Sequence, residues 1–257
     1  MLTAWQITVL VLVAVLGHVM ALFWYLAVAN KWKIAEHLIY NLPIPPEQIR
    51  REWHNSIHTP LHAAFLAVFL ELGFFQAFDW LSFLYSAILA TVWAEIWHYA
   101  SHRAFHLRSL HWIHVEHHRS HINSWLTALS FSFTEKFVFD LGLLCPLAIV
   151  DRFIGLNFYG VAGWYIGYLI INSYSHANFE FKSARYNHWL GKVLATTTYH
   201  SLHHARYTGN YGLGTRFLDK LFGTEWADYD QIFQRISRDR KPLTNLREKV
   251  APPVTSA

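Results

Sequence analysis

The sequence predicts an all-α integral-membrane helical bundle of four to five inserted helices with a cytoplasmic histidine-rich helical cap. Of its 257 residues, 53% are hydrophobic and only 15% are charged, whereas a soluble domain carries about 25% charged residues. The apolar residues form five long stretches, and most of the 18 histidines lie in the polar segments between them. The single cysteine, Cys145, excludes an intrachain disulfide and a cysteine-based zinc or iron–sulfur site.

The first apolar stretch covers residues 2–29 and is interrupted by only four polar side chains. A helix needs about 20 apolar residues to cross the hydrocarbon core. A secretory signal peptide begins with basic residues and has a shorter apolar region, and here no lysine or arginine precedes the stretch. We therefore predict an uncleaved first transmembrane span.

Four more apolar stretches follow in two pairs, at residues 61–78 and 81–97 and at residues 129–150 and 156–175. The members of each pair are separated by only a few residues, which indicates helical hairpins that enter and leave the membrane on the same face. Some of these stretches barely reach the length needed to cross, a pattern compatible with shallow or tilted insertion.

Basic residues favour one orientation of this bundle. If the three long polar segments share a side, that side holds all of the 21 lysines and arginines except Lys136 and Arg152. The positive-inside rule makes that side cytoplasmic and the N-terminus external. The net charge of +4 then indicates contact with anionic lipid headgroups, and we expect no nucleic-acid partner. The compact chain, without a retention signal, favours the bacterial inner membrane over the endoplasmic reticulum.

We divide the chain into four parts on this basis. Residues 1–30 form the first span, and residues 31–60, with four prolines, form a cytoplasmic connector. Residues 61–241 form the catalytic domain. Residues 242–257, which end in APPVTSA, are predicted to be disordered.

Ten histidines recur at spacings that place several imidazoles on one helix face. Three of them are spaced i, i+4, i+8, two HxxHH motifs follow, and one histidine stands at the end of the last apolar stretch. Neutral imidazole is the commonest metal-binding side chain, and residues three and four apart on a helix are neighbours. Ten imidazoles exceed the needs of one ion, so we predict two metal ions bound by His98, His102, His106, His114, His117, His118, His176, His200, His203 and His204.

The other polar residues near these motifs have less specific interpretations. Glu95 and Glu116 either accept hydrogen bonds from the ligands, bind metal themselves or are solvated carboxylates. The segment 210–212 either orients ligands or forms a turn. His111 and His121 are left unassigned. We interpret the remaining histidines as hydrogen-bonded or headgroup-facing residues: His18, His37, His54, His58, His62 and His188.

Three short motifs resemble the histidine boxes of the fatty acid hydroxylase and sterol desaturase superfamily of integral-membrane di-iron enzymes. They read HRAFH at 102–106, HVEHH at 114–118 and HSLHH at 200–204, the last followed by NYG at 210–212 and FGT at 222–224. The WHY that contains His98 is similar to the version in sterol methyl oxidases. His176 falls where the family places an isolated histidine. The resemblance covers about half of the chain.

The sequence departs from the family pattern at Ser132. Many members carry a histidine there, in an HPxE-like stretch, where this chain reads FSFTE at 131–135. Glyceryl-ether-cleaving relatives also lack that histidine. The departure argues against the sterol desaturase branch, so we expect the reaction to be hydroxylation in preference to desaturation.

The resemblance implies a cofactor and a reaction that histidine spacing alone does not select, because imidazoles bind several divalent metals. It implies two iron ions, O2 and external electrons, acting on a lipid from the bilayer such as a sterol or a fatty acyl chain. The sequence contains no flavin or dinucleotide fingerprint. We therefore expect a cytochrome- or ferredoxin-type redox partner as the electron donor.

Two alternatives remain open from the sequence. HSLHH and NYG also resemble the wax-alkane-forming relatives, so ether cleavage or aldehyde decarbonylation on the same metal centre is the first alternative. The second is a non-enzymatic metal-binding membrane scaffold or transporter. A transporter is expected to carry ionisable groups near mid-membrane, whereas the histidine clusters lie at one edge.

Overall fold

The computed structural model describes residues 1–183 and 189–250, and its regular secondary structure in those ranges is helical, which confirms the predicted all-α class. Four isolated β-bridges join the loops. The helices are α1 Ala4–Ala29, α2 Pro46–Asn55, α3 Leu61–Glu71, α4 Trp80–Phe105, α5 His111–His118, α6 Phe133–Ile154, α7 Phe158–Ser175, α8 Trp189–Val193, α9 Thr197–Arg206, α10 Phe217–Leu221 and α11 Tyr229–Ser237. Three short 3₁₀ turns lie at Lys33–Ala35, Ser56–His58 and Thr127–Leu129.

Two helices, α1 and α4, are long and apolar enough to cross a membrane. Each has 26 residues, or about 39 Å at 1.5 Å per residue, against about 30 Å of hydrocarbon. A capping box between Thr3 and Gln6 begins α1, and one between Asp79 and Ser82 begins α4. Most of the large apolar side chains of both helices remain exposed on the surface, as lipid-facing residues do.

Helix α3 ends earlier than the apolar stretch that contains it. The helix stops at Glu71 after 11 residues, a length of about 16 Å that cannot cross the hydrocarbon core alone. Gly73 takes the left-handed conformation, and the chain then packs against the loop between α6 and α7. There the Ala77 amide donates to the Leu156 carbonyl at 3.1 Å, and the Phe158 amide donates to the Phe75 carbonyl at 3.0 Å. The two hairpin loops therefore meet at one end of the bundle.

The bundle core is built by α1, α3, α4, α6 and α7, which supply fully buried Val13, Leu66, Ala90, Leu143 and Val161 respectively. Helices α4 and α7 both run from the hairpin-loop end toward the opposite end of the bundle. We call this the histidine end, because His102 on α4 and His176 after α7 lie there. The two helices approach closely at Gly160, where an added Cβ would lie 2.6 Å from the Phe83 carbonyl oxygen. This contact explains why a glycine is required at that position.

The histidine end is closed by a cap of shorter helices. All ten residues of α9 are buried, and this helix packs on a second apolar core that includes Ile39, Leu202 and Phe233. A buried, doubly hydrogen-bonded ion pair between Arg206 and Asp228 links α9 to the start of α11. The cap therefore holds the histidines of α9 beneath the bundle.

Residues 242–250, which the sequence predicts to be disordered, are instead packed into this cap. Leu243 is fully buried, its amide donates to the Ile39 carbonyl at 2.8 Å, and its carbonyl accepts from the Asn41 amide at 2.9 Å. The Val250 amide donates to Asp228 at 3.2 Å. The two Leu243 contacts join segments about 200 residues apart, which the composition of the tail could not indicate. Residues 251–257 and His188 lie outside the described ranges.

Candidate metal centre

Nine of the ten histidines predicted as ligands lie together in two groups at the histidine end of the bundle. Within each group the possible ligand atoms all lie within 4.8 Å of one another. Imidazole nitrogens bind a metal at about 2.1 Å, so two ligands on opposite sides of one ion are about 4.2 Å apart. A small inward movement would close each group around one ion. The first group is His102, His106, His114, His118 and His203, and the second is His117, His176, His200 and His204.

Each HxxHH motif is divided between the two groups. In α5 the outer pair, His114 and His118, belongs to the first group, and His117 belongs to the second. In α9 the assignment is reversed, because His200 and His204 belong to the second group and His203 to the first. Residues four apart share a helix face, whereas the residue between them points to the side. Each HxxHH motif therefore contributes histidines to both groups and places the two groups next to each other.

Backbone carbonyls fix the orientation of five of these imidazoles. In each ring Nδ1 donates to a carbonyl oxygen, and Nε2 is left to face the other histidines of the group. Such contacts set the tautomer of a metal-binding histidine. The five pairs are His102 with Tyr211 at 2.8 Å, His117 with Ser130 at 3.0 Å, His176 with Asn172 at 2.7 Å, His203 with Gly209 at 2.7 Å and His204 with Ser120 at 3.0 Å.

The Nε2 atoms of His117 and His176 are placed so that the second group could hold a cation. A neutral imidazole has one N–H, and both rings use theirs on a carbonyl. The two Nε2 atoms are nevertheless only 3.3 Å apart, so two lone pairs face each other. A positive ion between them removes this repulsion. In the first group, the buried Nε2 atoms of His102 and His114 lack any hydrogen-bond partner in the described part of the chain.

Burial keeps these imidazoles neutral. It lowers the pKa of His117, His118 and His203 well below the usual histidine value and lowers that of His176 to about 4. The neighbouring imidazoles add to the effect for most of the group, because a second positive charge nearby is unfavourable. Neutral imidazole is the form that binds metal, so the residues present fit a pair of metal ions.

A carboxylate that the sequence interpretation missed, that of Glu135, contacts a grouped histidine. Glu135, which is buried, accepts from Nδ1 of His114 at 2.5 Å. The two carboxylates that the sequence singled out lie elsewhere: Glu95 accepts from Thr215, and Glu116 pairs with Arg51 and Arg119. Neither contacts a grouped histidine.

Ser132 explains how Glu135 reaches its position. The Ser132 hydroxyl accepts from the Glu135 amide at 3.1 Å and so caps α6, and it donates to the Ile113 carbonyl at 3.0 Å. This links α6 to α5. The signal available in the sequence was the S-x-x-E spacing at 132–135, which is typical of a helix start.

The loop at Asn210–Gly212 is both a turn and a support for the ligands. Asn210 takes the left-handed conformation, and its side chain donates to the Tyr199 carbonyl at 3.0 Å. The buried Asp219 carboxylate accepts from the amides of Tyr211 and Gly212 at 2.9 and 2.7 Å. The loop is thereby held where the Tyr211 carbonyl meets His102.

Replacing Gly212 with alanine is expected to disturb the first group. The new Cβ would lie 2.2 Å from the Thr215 carbonyl oxygen, so the backbone must shift, at a cost of about 1–3 kcal/mol. We expect a lower melting temperature and weaker metal binding, measured by thermal unfolding and metal titration. Gly163→Ala is the matched control, because its Cβ meets nothing within 4 Å among the described residues. Equal behaviour of the two variants would contradict this interpretation.

The remaining histidines lie outside the two groups. His98 is the only predicted ligand among the described residues that neither group includes, and its ring centroid lies 5.2 Å from that of His102. Nδ1 of His111 donates to the Phe105 carbonyl, and His121 contacts the Tyr207 ring. As expected, four others are hydrogen-bonded elsewhere: His18 to Ser56, His37 to the Ile236 carbonyl, His58 to the Phe131 carbonyl and His62 to Asp140.

A cavity of about 30 Å³ touches both groups, enough for a water-sized molecule. Phe131 forms part of its wall and stacks on His117 with ring centroids 4.6 Å apart. The buried Lys136 also lines the cavity and lies 3.7 Å from the Asp140 carboxylate. The cavity is therefore mostly aromatic, and Glu135 and Lys136 supply an acidic and a basic side chain to its wall.

Residues 87–224 match the family model for fatty acid hydroxylase. The chain belongs to this family. The match confirms the resemblance to the fatty acid hydroxylase and sterol desaturase superfamily, and it covers both histidine groups. Together with the two apolar helices it supports a lipid-modifying enzyme of the fatty acid hydroxylase type in a membrane.

Curated relatives extend the comparison. A very-long-chain aldehyde decarbonylase from Oryza sativa subsp. indica is 27% identical over 218 residues, which is 80% of this chain and 34% of the relative. One from Arabidopsis thaliana is 28% identical over 156 residues, 59% of this chain and 25% of the relative. A methylsterol monooxygenase from Aspergillus fumigatus is 29% identical over 146 residues, 56% of this chain and 49% of the relative.

The chain thus spans about a third of the length of the Oryza sativa decarbonylase, a quarter of that from Arabidopsis thaliana and about half of the monooxygenase. No solved structure matches the chain significantly.

Proposed function

We propose that this fatty acid hydroxylase family member is a membrane-bound di-iron oxidoreductase that uses O2 and external electrons to hydroxylate a lipid. The observation that carries the proposal is the facing pair of unprotonated Nε2 atoms in His117 and His176, within two adjoining groups of neutral imidazoles. The proposed ligands are the nine histidines of those groups. The assignment of His98 as a tenth ligand stays a prediction.

The closeness of the two groups supports a single two-metal centre. The ring centroids of His114 and His117, which belong to different groups, are 5.1 Å apart, and those of His118 and His204 are 4.7 Å apart. Two ions in one site can act on the same reacting atom. When bound, iron would supply the activation of O2 and the removal of hydrogen from an unactivated C–H bond.

The protein's own residues would prepare the site for that reaction. The carbonyls of Tyr211 and Gly209 and the Glu135 carboxylate hold imidazoles of the first group by Nδ1. Phe131 and Phe139 line the cavity and keep bulk water away from the reacting carbon. A C–H bond must enter this cavity to come within reach of both groups.

The proposed reaction requires an electron source outside this chain. Conversion of a C–H bond, O2, two electrons and two protons gives one alcohol and one water. The sequence carries no flavin or dinucleotide fingerprint, so we propose a cytochrome- or ferredoxin-type partner. The lipid substrate would come from the bilayer.

Labelling with ¹⁸O2 tests the proposal. The iron-loaded protein in lipid nanodiscs, with a reductant, is expected to form an alcohol that carries ¹⁸O. Desaturation would give an unlabelled double bond instead. Metal binding without any O2-dependent lipid product would contradict the proposal and favour the scaffold or transporter.

A second candidate on the same centre is aldehyde decarbonylation. It is favoured by the relative named for that reaction, which matches 80% of this chain. A long-chain aldehyde offered to the iron-loaded protein would then yield a hydrocarbon one carbon shorter. The same assay therefore separates it from hydroxylation by product mass.

We also propose four to five inserted helices with the histidine end on the cytoplasmic face, in the bacterial inner membrane. The distribution of lysine and arginine supports this orientation. A cysteine introduced at exposed Arg108 is expected to react with a membrane-impermeant thiol reagent only from the cytoplasmic side. Reaction from the outside would contradict this orientation and place the histidine end on the external face.

A further inference from the structure

A groove of about 220 Å³ runs along the side of the bundle between α4 and α7. Small side chains line most of its length: Ala87, Thr91 and Ala94 on α4, and Gly163 and Gly167 on α7. Thr91 and Gly163 are exposed, so the groove opens sideways. Because α4 is long and apolar enough to cross a membrane, this opening faces lipid.

The two glycines keep the groove open and do not serve helix packing within the described structure. A Cβ added at Gly163 or Gly167 would meet no atom of the described residues within 4 Å. Gly160, one turn before, is different, since its Cβ would lie 2.6 Å from the Phe83 carbonyl oxygen. Glycine costs about 0.5–1 kcal/mol in a helix relative to alanine, and helix contacts in this chain do not explain that cost at 163 and 167.

The groove leads to the metal centre. Two of its lining residues, His98 on α4 and Tyr168 on α7, also line the cavity that touches both histidine groups. Both ring nitrogens of His98 are buried and have no hydrogen-bond partner in the ranges that the structure describes. From Ala87 to His98 the helix rises about 16 Å. The groove is therefore long and narrow, and its inner end is polar.

We propose that this groove holds the hydrocarbon chain of a single-chain lipid, whose reacting carbon reaches the cavity beside His98 and Tyr168. An elongated groove between two packed helices fits a linear alkyl chain better than a fused-ring sterol. The reaction at the inner end rests on the proposed function, but chain binding does not. A helix of a second copy is the other possible occupant, because Gly163 and Gly167 form a G-x-x-x-G pair.

Phenylalanine at the two glycines tests the proposal by chain length. Gly167 lies about 6 Å closer to the metal centre than Gly163. Gly167→Phe is therefore expected to lower turnover of long-chain substrates about tenfold and to set a shorter chain-length limit than Gly163→Phe. Ile170→Phe is the control, because Ile170 is exposed on α7 outside the groove. The proposal would be overturned if the two glycine variants accepted the same chain lengths as wild type, or if Gly167→Phe did not set a shorter limit than Gly163→Phe.

A binding assay separates this proposal from the proposed function. A long-chain fatty alcohol with a diazirine group is photolysed with the metal-free protein in nanodiscs, and the labelled peptides are identified. We expect labelling of α4 and α7, reduced about tenfold in Gly163→Phe and unchanged in Ile170→Phe. Equal labelling of wild type and Gly163→Phe would overturn the groove as a lipid site. The same conclusion would follow if wild-type dimers were crosslinked through α7 and Gly163→Phe formed no such dimers. Failed oxidation with intact labelling would overturn only the proposed function.

Discussion

The His203→Ala variant is expected to lose lipid oxidation to below the detection limit of product analysis. His203 is fully buried, its Nδ1 is held by the Gly209 carbonyl, and its Nε2 lies 3.0 Å from Nε2 of His118. Alanine removes one ligand from the first group and leaves a cavity that no other imidazole fills. The measurement is product formation by the iron-loaded protein, compared with wild type at equal protein concentration.

His121→Ala is the matched control for this variant. His121 lies next to the same motifs, but it is exposed and belongs to neither group. Its replacement is expected to leave turnover close to that of wild type. If His203→Ala remains active, or if both variants are inactive, the assignment of the first group is wrong.

The Glu135→Ala variant is expected to weaken metal binding in the first group by about 10–100-fold. The buried Glu135 carboxylate accepts from Nδ1 of His114 at 2.5 Å. Without it, the imidazole loses the contact that directs Nε2 toward the group. Glu135→Gln retains an acceptor oxygen, so we expect it to recover part of the affinity. Metal titration of the metal-free variants measures the effect.

Glu116→Ala provides the control for Glu135. This carboxylate also lies close to the metal centre, on α5 itself, but it pairs with Arg51 and Arg119 and contacts no grouped histidine. We expect its removal to leave metal affinity unchanged. Equal losses in Glu116→Ala and Glu135→Ala would indicate a general effect of charge, not the orientation of His114.

The sequence predicted which histidines lie together, because helix periodicity is a local property. Histidines at i, i+3 and i+4 lie close together on a helix, and all six histidines of the HxxHH motifs on α5 and α9 belong to the two groups. His102, His106 and His176 complete the groups from α4 and the end of α7. How each HxxHH motif divides between two groups depends on how α5 and α9 face each other. The spacing within one helix carries no such information.

The contacts that orient the ligands could not be predicted from the sequence. The acceptors for His102 and His117 are backbone carbonyls, at Tyr211 and Ser130, and a carbonyl is present at every residue. Glu135 lies 21 residues from His114, and only the packing of α6 on α5 joins them. Glu95 and Glu116 are close to the histidine motifs in sequence, but their carboxylates contact other residues.

The lengths of the apolar stretches predicted the long helices, but they did not predict where the helices end at the hairpin loops. Helix α1 was anticipated from the apolar stretch 2–29, which is long enough to cross a membrane. The stretch 81–97 anticipated the apolar first part of α4, but the helix continues to Phe105. The stretch 61–78 remains apolar beyond Glu71, yet the helix ends there because the following residues pack on the neighbouring loop. Hydrophobicity does not distinguish a helix from such a loop.

Iron content of the detergent-purified protein, prepared anaerobically, tests the two-ion centre most directly. The comparison is between wild type, His117→Ala from the second group and His203→Ala from the first. We predict about two irons per chain in wild type and a loss of iron in both variants. Zinc alone in the wild-type protein, or unchanged metal content in both variants, would contradict a di-iron centre built from these two groups.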